Sequence, residues 1–173
     1  MGNNGIKRTT LIVAAMSSFL APFMGSAINV AIPSISNEFG LDVNTASWIA
    51  TSYLLAAAMF LVPFGRIADI YGRKKIFVCG IAVYAAASAL SATADSALML
   101  IIFRLIHGIG SSMVFGTGIA ILTSVFPPEE RGRALGINVA AVYSGLSLGP
   151  LIGGVLTHNF GWRSLFWFNV PLC

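Results

Sequence analysis

Five long stretches of this chain are apolar all round, with only short polar clusters between them. They run from Thr9 to Pro33, Ala46 to Phe64, Ile76 to Ala94, Leu98 to Phe126 and Ala134 to Thr157, and a sixth starts near Ser164. A half-buried strand would alternate polar with apolar residues, and a surface helix would keep a polar stripe. Neither pattern is present. A helix needs about 20 apolar residues to cross a bilayer, and inside lipid only helices and closed barrels satisfy their own backbone groups. The predicted fold class is therefore all-α and multi-spanning, with an amino-terminal segment at 1–8 and a transmembrane bundle over 9–173. The spans lie at about 9–33, 46–64, 76–94, 98–126 and 134–157, with the start of a sixth from 164.

Composition excludes the other classes. Hydrophobic residues make up 57% of the chain and charged residues 9%, against about 25% charged in a soluble domain. Mean hydropathy is +0.85. A soluble enzyme, a disordered chain and a disulfide-stapled module are all ruled out on these figures. Cys79 and Cys173 show neither metal spacing nor a disulfide framework. No phosphate-cradling loop and no Ser/His/Asp constellation occurs, so neither an enzyme nor a cofactor is expected. Lys7 and Arg8 ahead of an apolar run could mark a signal peptide, but the run is too long and more spans follow.

The net charge of +4 reads as topology, with no nucleic-acid partner. Lys7, Arg8, Arg66, Arg73, Lys74, Lys75, Arg131 and Arg133 all fall on one side if the spans alternate. The other side has Glu38, Asp42 and Asp95, with Arg163 as its one basic residue. The positive-inside rule then places the amino terminus and the segments 66–75 and 127–133 in the cytoplasm of a cell whose plasma membrane holds the chain. The final stretch stops about nine residues in, or roughly 14 Å of helix. That reads as a fragment of a longer protein.

Four motifs carry chemistry. After the second span the chain reads Gly65-Arg66-Ile67-Ala68-Asp69-Ile70-Tyr71-Gly72-Arg73-Lys74-Lys75. Gly72 permits a tight turn, and Asp69 can pair with Arg73 or cap a helix end. The fourth span carries Arg104-Leu105-Ile106-His107-Gly108-Ile109-Gly110. An arginine at this depth costs about 3 kcal/mol to insert, so it faces protein or water, or else snorkels to the outer surface. In the fifth span Gly145, Gly149 and Gly153 stand four apart, which lets a neighbouring helix pack closely, and Pro150 can bend the helix. In the first span Ser18, Pro22, Ser26, Asn29 and Pro33 form one stripe, either a cavity face or a polar seam between helices. Pro127 and Pro128 stop the fourth span, and Glu129 and Glu130 are placed to pair with Arg131 or Arg133.

The first of these motifs resembles the signature loop of the major facilitator superfamily. The Arg104 to Gly108 run is similar to that family's span-four motif, with His107 where glutamine is more usual. Gly145, Gly149, Pro150, Gly153 and Gly154 resemble its antiporter signature. Asn29, Val30, Ala31 and Pro33 resemble the close of span one in its fourteen-helix drug:proton antiporter branch, although Met24 stands where that branch often has an aspartate. Trp48, Thr51 and Tyr53, then Arg131 to Gly136, then Gly161 to Pro171 agree with the same branch.

The resemblance implies a facilitator-type amino-terminal bundle built from two inverted three-helix repeats. It also implies proton-coupled export of small amphipathic compounds by a longer parent chain. The alternative is a truncated fragment that transports nothing, or one part of a split transporter. The implied partners are the lipid bilayer, a small-molecule substrate, protons and a missing carboxy-terminal bundle. Gly65, Asp69, Gly72, Arg73 and Lys74 would form the gating loop. Arg104, His107, Ser26 and Asn29 would lie on the proton or substrate path. Every acidic residue sits in or beside a loop. His107 is thus the one group of ordinary pKa within the spans able to change charge near neutral pH, and it is expected to take over part of the proton handling.

Overall fold

The computed structural model describes residues 2–173, with side chains from Gly5 onward. Among the described residues every element is helical: α1 (Gly2–Phe39), α2 (Val43–Tyr71), α3 (Arg73–Ala92), α4 (Ala97–Val125), α5 (Pro128–Phe160) and α6 (Arg163–Asn169), with a closing 3-10 turn at Val170–Leu172. The five long helices are each apolar and long enough to cross a membrane.

The helices outrun the apolar stretches. α1 continues through Pro22 and Pro33 to Phe39, and α5 continues through Pro150. Each proline removes one backbone bond without ending its helix, as neighbouring helices permit in membrane bundles. The segment 66–75 is a joint between helices, where an open loop was expected. α2 runs to Tyr71 and α3 starts at Arg73, with Gly72 alone between them at φ +103°. Only glycine holds that backbone angle without strain, so the whole reversal rests on one residue. Elsewhere side chains start the helices. Asp42 caps α2 by accepting from the Asn44 amide at 3.2 Å and the Thr45 hydroxyl at 2.6 Å, and that hydroxyl holds the Asp42 carboxyl below its usual range. Ser96 caps α4.

Packing is two-fold in pattern. α1 lies against α5 and α6, while α4 lies against α2 and α3; α1 meets α4, and α3 meets α6. Exchanging helices one to three with helices four to six maps this scheme onto itself, which is the arrangement of two three-helix repeats. Glycines set the closest seams. A Cβ at Gly145 would come 2.5 Å from the Phe19 carbonyl oxygen, one at Gly149 would overlap the Ser26 hydroxyl, and one at Gly153 would come 2.9 Å from the Ala27 Cβ. The stripe on α5 is thus the seat of α1. Gly154, beside it, meets only Val30 at 3.8 Å. On α4, Gly108 faces the backbone of Tyr53 and Gly110 that of Tyr84.

The main apolar core joins Phe23, Met24, Ile28 and Ile35 of α1 to Leu100, Trp162, Leu165 and Phe166. At this end Glu38 accepts from the Trp162 indole at 2.7 Å and from Arg163 at 2.6 Å, and Arg163 also donates to the Ala94 carbonyl at 2.9 Å. Three separate connections are tied there. At the opposite end Glu130 pairs with Lys7 at 2.8 Å, 123 residues away, and not with Arg131 or Arg133. Arg131 instead donates to the Phe126 carbonyl at 3.0 Å.

Candidate functional site

A cavity of about 500 Å³ opens between α1, α2, α4 and α5. Its wall includes Pro22, Gly25, Ser26 and Asn29 of α1, Tyr53 and Ala58 of α2, Ser111, Ser112 and Phe115 of α4, and Val142 and Leu146 of α5. Pro22, Ser26 and Asn29 come from the polar stripe seen in the sequence. Ser18 of that stripe turns away and donates to Asn138 of α5 at 2.8 Å, buried, so the stripe serves both as cavity face and as helix seam. Ser26 sits at the border, bonded to the Phe23 carbonyl at 3.1 Å and the Gly145 carbonyl at 3.4 Å. No lining residue carries a formal charge.

Arg104 and His107 lie one layer behind this wall, and both are fully buried. The Arg104 Nε donates to the Ile49 carbonyl at 3.1 Å, and its Nη1 donates to His107 Nδ1 at 3.2 Å. The guanidinium carbon lies 4.3 Å from the Tyr53 ring centroid. Among the described residues no carboxylate pairs with it. A carbonyl dipole and an aromatic face attend its charge, as cation–π attraction allows in a dry setting, while its Nη2 and the His107 Nε2 are buried without a hydrogen-bond partner. Burial inside protein excludes snorkelling to the surface.

This geometry fixes the state of His107. A guanidinium only donates, so Nδ1 must accept and the ring proton sits on Nε2. The imidazole is neutral in this arrangement, and charging it requires the Arg104 bond to break. Its ring centroid stands 4.0 Å from that of Tyr84. Tyr53 shares a hydrogen bond with Ser111 at 2.9 Å, and Tyr84 donates to the Leu20 carbonyl at 3.2 Å. Arg104, His107 and Ser111 occupy one face of α4, spaced three and four apart. Gly108 and Gly110 between them let α2 and α3 bring the two tyrosines in. The sequence reading missed Tyr84, Ser111 and Asn138. The stripe from Arg104 through His107 to Ser111 is the signal that would have found Ser111.

The candidate gating residues lie at the other end of the chain's α2. Asp69 accepts from Arg73 Nε at 3.0 Å and Nη2 at 2.9 Å, and Arg73 Nη1 reaches the Ala120 carbonyl of α4 at 3.2 Å. Lys74 is exposed beside them, and Gly65 lies within α2. Asp69, Gly72, Arg73 and Lys74 are thus gathered at one joint, with Gly65 two turns earlier in α2, and all are well separated along α2 from Tyr53.

The sequence profile of the Major Facilitator Superfamily matches residues 14–173. The chain is 31% identical to the riboflavin transporter RibZ of Clostridioides difficile over 96% of its own length and 36% of that protein. It is 35% identical to the methylenomycin A resistance protein of Bacillus subtilis, over 95% of this chain and 35% of that one. It is 36% identical to the cephamycin export protein CmcT of Amycolatopsis lactamdurans, over 95% and 34%. The chain therefore spans about a third of the length of the curated relatives it matches. Among solved structures, a bacterial homolog of the human lysosomal transporter Spinster, in an inward-facing and unoccupied conformation, superposes with a TM-score of 0.76 at 20% identity, covering 99% of this chain and 42% of that one. With its helical pairing, its motifs and this match over nearly all of its length, the chain belongs to the Major Facilitator Superfamily.

Proposed function

We propose that this chain forms the amino-terminal bundle of a proton-coupled exporter of small amphipathic compounds, working with a second bundle outside these 173 residues. The observation that carries the reading is the cavity of about 500 Å³ with its uncharged wall. Apolar and aromatic lining with a few hydroxyl and amide groups suits drug-sized molecules. Relatives named for antibiotic resistance and export support the same substrate class. The basic residues gathered on one side support a plasma-membrane chain with a cytoplasmic amino terminus.

In this reading Ser26 and Asn29 meet the substrate, while Arg104 and His107 act from behind Tyr53. Protonation of His107 would break its bond to Arg104 and release the guanidinium toward a charge supplied by substrate or by the second bundle. The joint at Gly72 would latch the two bundles on the cytoplasmic side. Pro150 would make α5 the pliable helix that lets the bundle rock. Efflux of a fluorescent amphipathic dye from cells making the full-length protein tests the reading. A protonophore should stop the efflux, and so should Ala58→Trp, which fills the cavity from an exposed wall position. Undiminished efflux by Ala58→Trp would place the substrate elsewhere.

A further inference from the structure

A second concavity, about 290 Å³, lies at the ends of α1 and α5 near Gly132, far along both helices from the transport cavity. Its floor is apolar, made by Leu11, Phe126, Ala134 and Ile137, and its rim is Lys7, Arg8, Glu130 and Arg133. Lys7 and Glu130 neutralise each other across 2.8 Å. Arg8 and Arg133 are exposed, and among the described residues neither has an ion-pair partner. Two guanidinia from two helices therefore face one apolar pocket with their charge unmet.

The sequence gives the depth of this pocket. Arg8 directly precedes the apolar run that begins at Thr9, and Arg133 directly precedes the one that begins at Ala134. Both therefore mark the level where hydrocarbon ends and headgroups begin. A guanidinium fork matches phosphate oxygens, and the floor beneath offers acyl-chain contact. Free phosphate would use only the rim. Lipid with no net charge would leave the two arginines uncompensated.

We propose that the pocket bounded by Arg8, Arg133, Leu11 and Ile137 binds one anionic phospholipid, its phosphate between the two arginines and an acyl chain along the apolar floor. The proposal rests on membrane insertion of the chain and is independent of what the transport cavity carries. Lipid held there would bridge the ends of α1 and α5 at a place where their own side chains supply one ion pair.

Native mass spectrometry tests it, with full-length protein released from nanodiscs holding equal phosphatidylglycerol and phosphatidylcholine. The wild type should retain phosphatidylglycerol in preference. Arg8→Gln/Arg133→Gln should lower that retention about 25-fold, since each basic residue near the surface contributes roughly a fivefold effect. Arg66→Gln/Lys75→Gln removes equal charge from the α2–α3 joint and should keep the preference. Glu130→Gln, which deletes the rim carboxylate and frees Lys7, should raise retention, and this gain is readable even if the double variant folds poorly. Equal retention by the double variant, equal loss in the control pair, or no gain in Glu130→Gln would overturn the proposal. So would displacement of the lipid by excess inorganic phosphate, which would mark a site for free phosphate.

Discussion

The guanidinium carbon of Arg104 stands 4.3 Å from the centre of the Tyr53 ring, and that same ring forms part of the cavity wall. A buried cation is thereby placed one aromatic side chain away from the cavity. Arg104→Lys keeps the charge but cannot hold the Ile49 carbonyl and His107 at once. Losing one charge-assisted bond of about 1.5–3 kcal/mol should lower export by about tenfold or more in dye-efflux assays. Tyr53→Phe keeps the ring and loses the hydroxyl's contacts with Ser111 at 2.9 Å and with the Ala21 carbonyl at 3.5 Å, about 1 kcal/mol in all. It should lower the thermal midpoint in detergent slightly and leave most of the export. Wild-type export by Arg104→Lys would show that the fork geometry is not needed.

His107→Gln separates hydrogen bonding from proton handling. A glutamine carbonyl can accept from Arg104 as Nδ1 does, but it cannot take up a proton. The variant should therefore fold, retain Arg104 in place and export with a flattened pH dependence. Export profiles measured at several pH values decide it. An unchanged profile would make the histidine a hydrogen-bond acceptor and move coupling to the second bundle.

The five long helices were legible because lipid demands apolar side chains on every face, which gives long unbroken apolar runs. Their true ends were not. Pro33 looked like a stop, yet α1 continues six residues past it to Phe39, because the cost of a proline depends on what surrounds the helix. The joint at Gly72 looked like a loop; the Asp69–Arg73 pair was readable at helical spacing, but the reach of Arg73 to the Ala120 carbonyl of α4 was not. The setting of Arg104 was the least legible. His107, one turn on, was readable at helical spacing, but its other partners are a backbone carbonyl and an aromatic face from another helix, and neither leaves a mark at a fixed sequence spacing. The same holds for Lys7 and Glu130, whose pairing needs the fold to bring the two ends together.

The glycines of α5 were legible as a stripe but not as unequal. Gly149→Ala places a methyl group on the Ser26 hydroxyl and should destabilise by about 1–3 kcal/mol, the usual cost of overpacking. Gly154→Ala meets only Val30 at 3.8 Å and should be tolerated. Thermal unfolding in detergent, followed by intrinsic fluorescence, ranks them. Equal midpoints for the two variants would mean that the seam between α1 and α5 is looser than described.

Asp69→Asn removes an ion pair whose partners are both well exposed. Such pairs contribute below about 1 kcal/mol, so the thermal midpoint and membrane abundance should barely change. Export should nevertheless fall sharply, because the charge that orders Arg73 at the joint is gone. Export at the wild-type level would reduce this segment to a topology signal.

An exporter driven by protons must move substrate and protons in opposite directions. Purified full-length protein in liposomes, with a pH gradient imposed and a small amphipathic dye on the donor side, tests this. Gradient-dependent dye movement accompanied by counterflow of protons is expected, both abolished by a protonophore and by Ala58→Trp. Dye movement at the same rate with the gradient collapsed, and without proton flux, would contradict it.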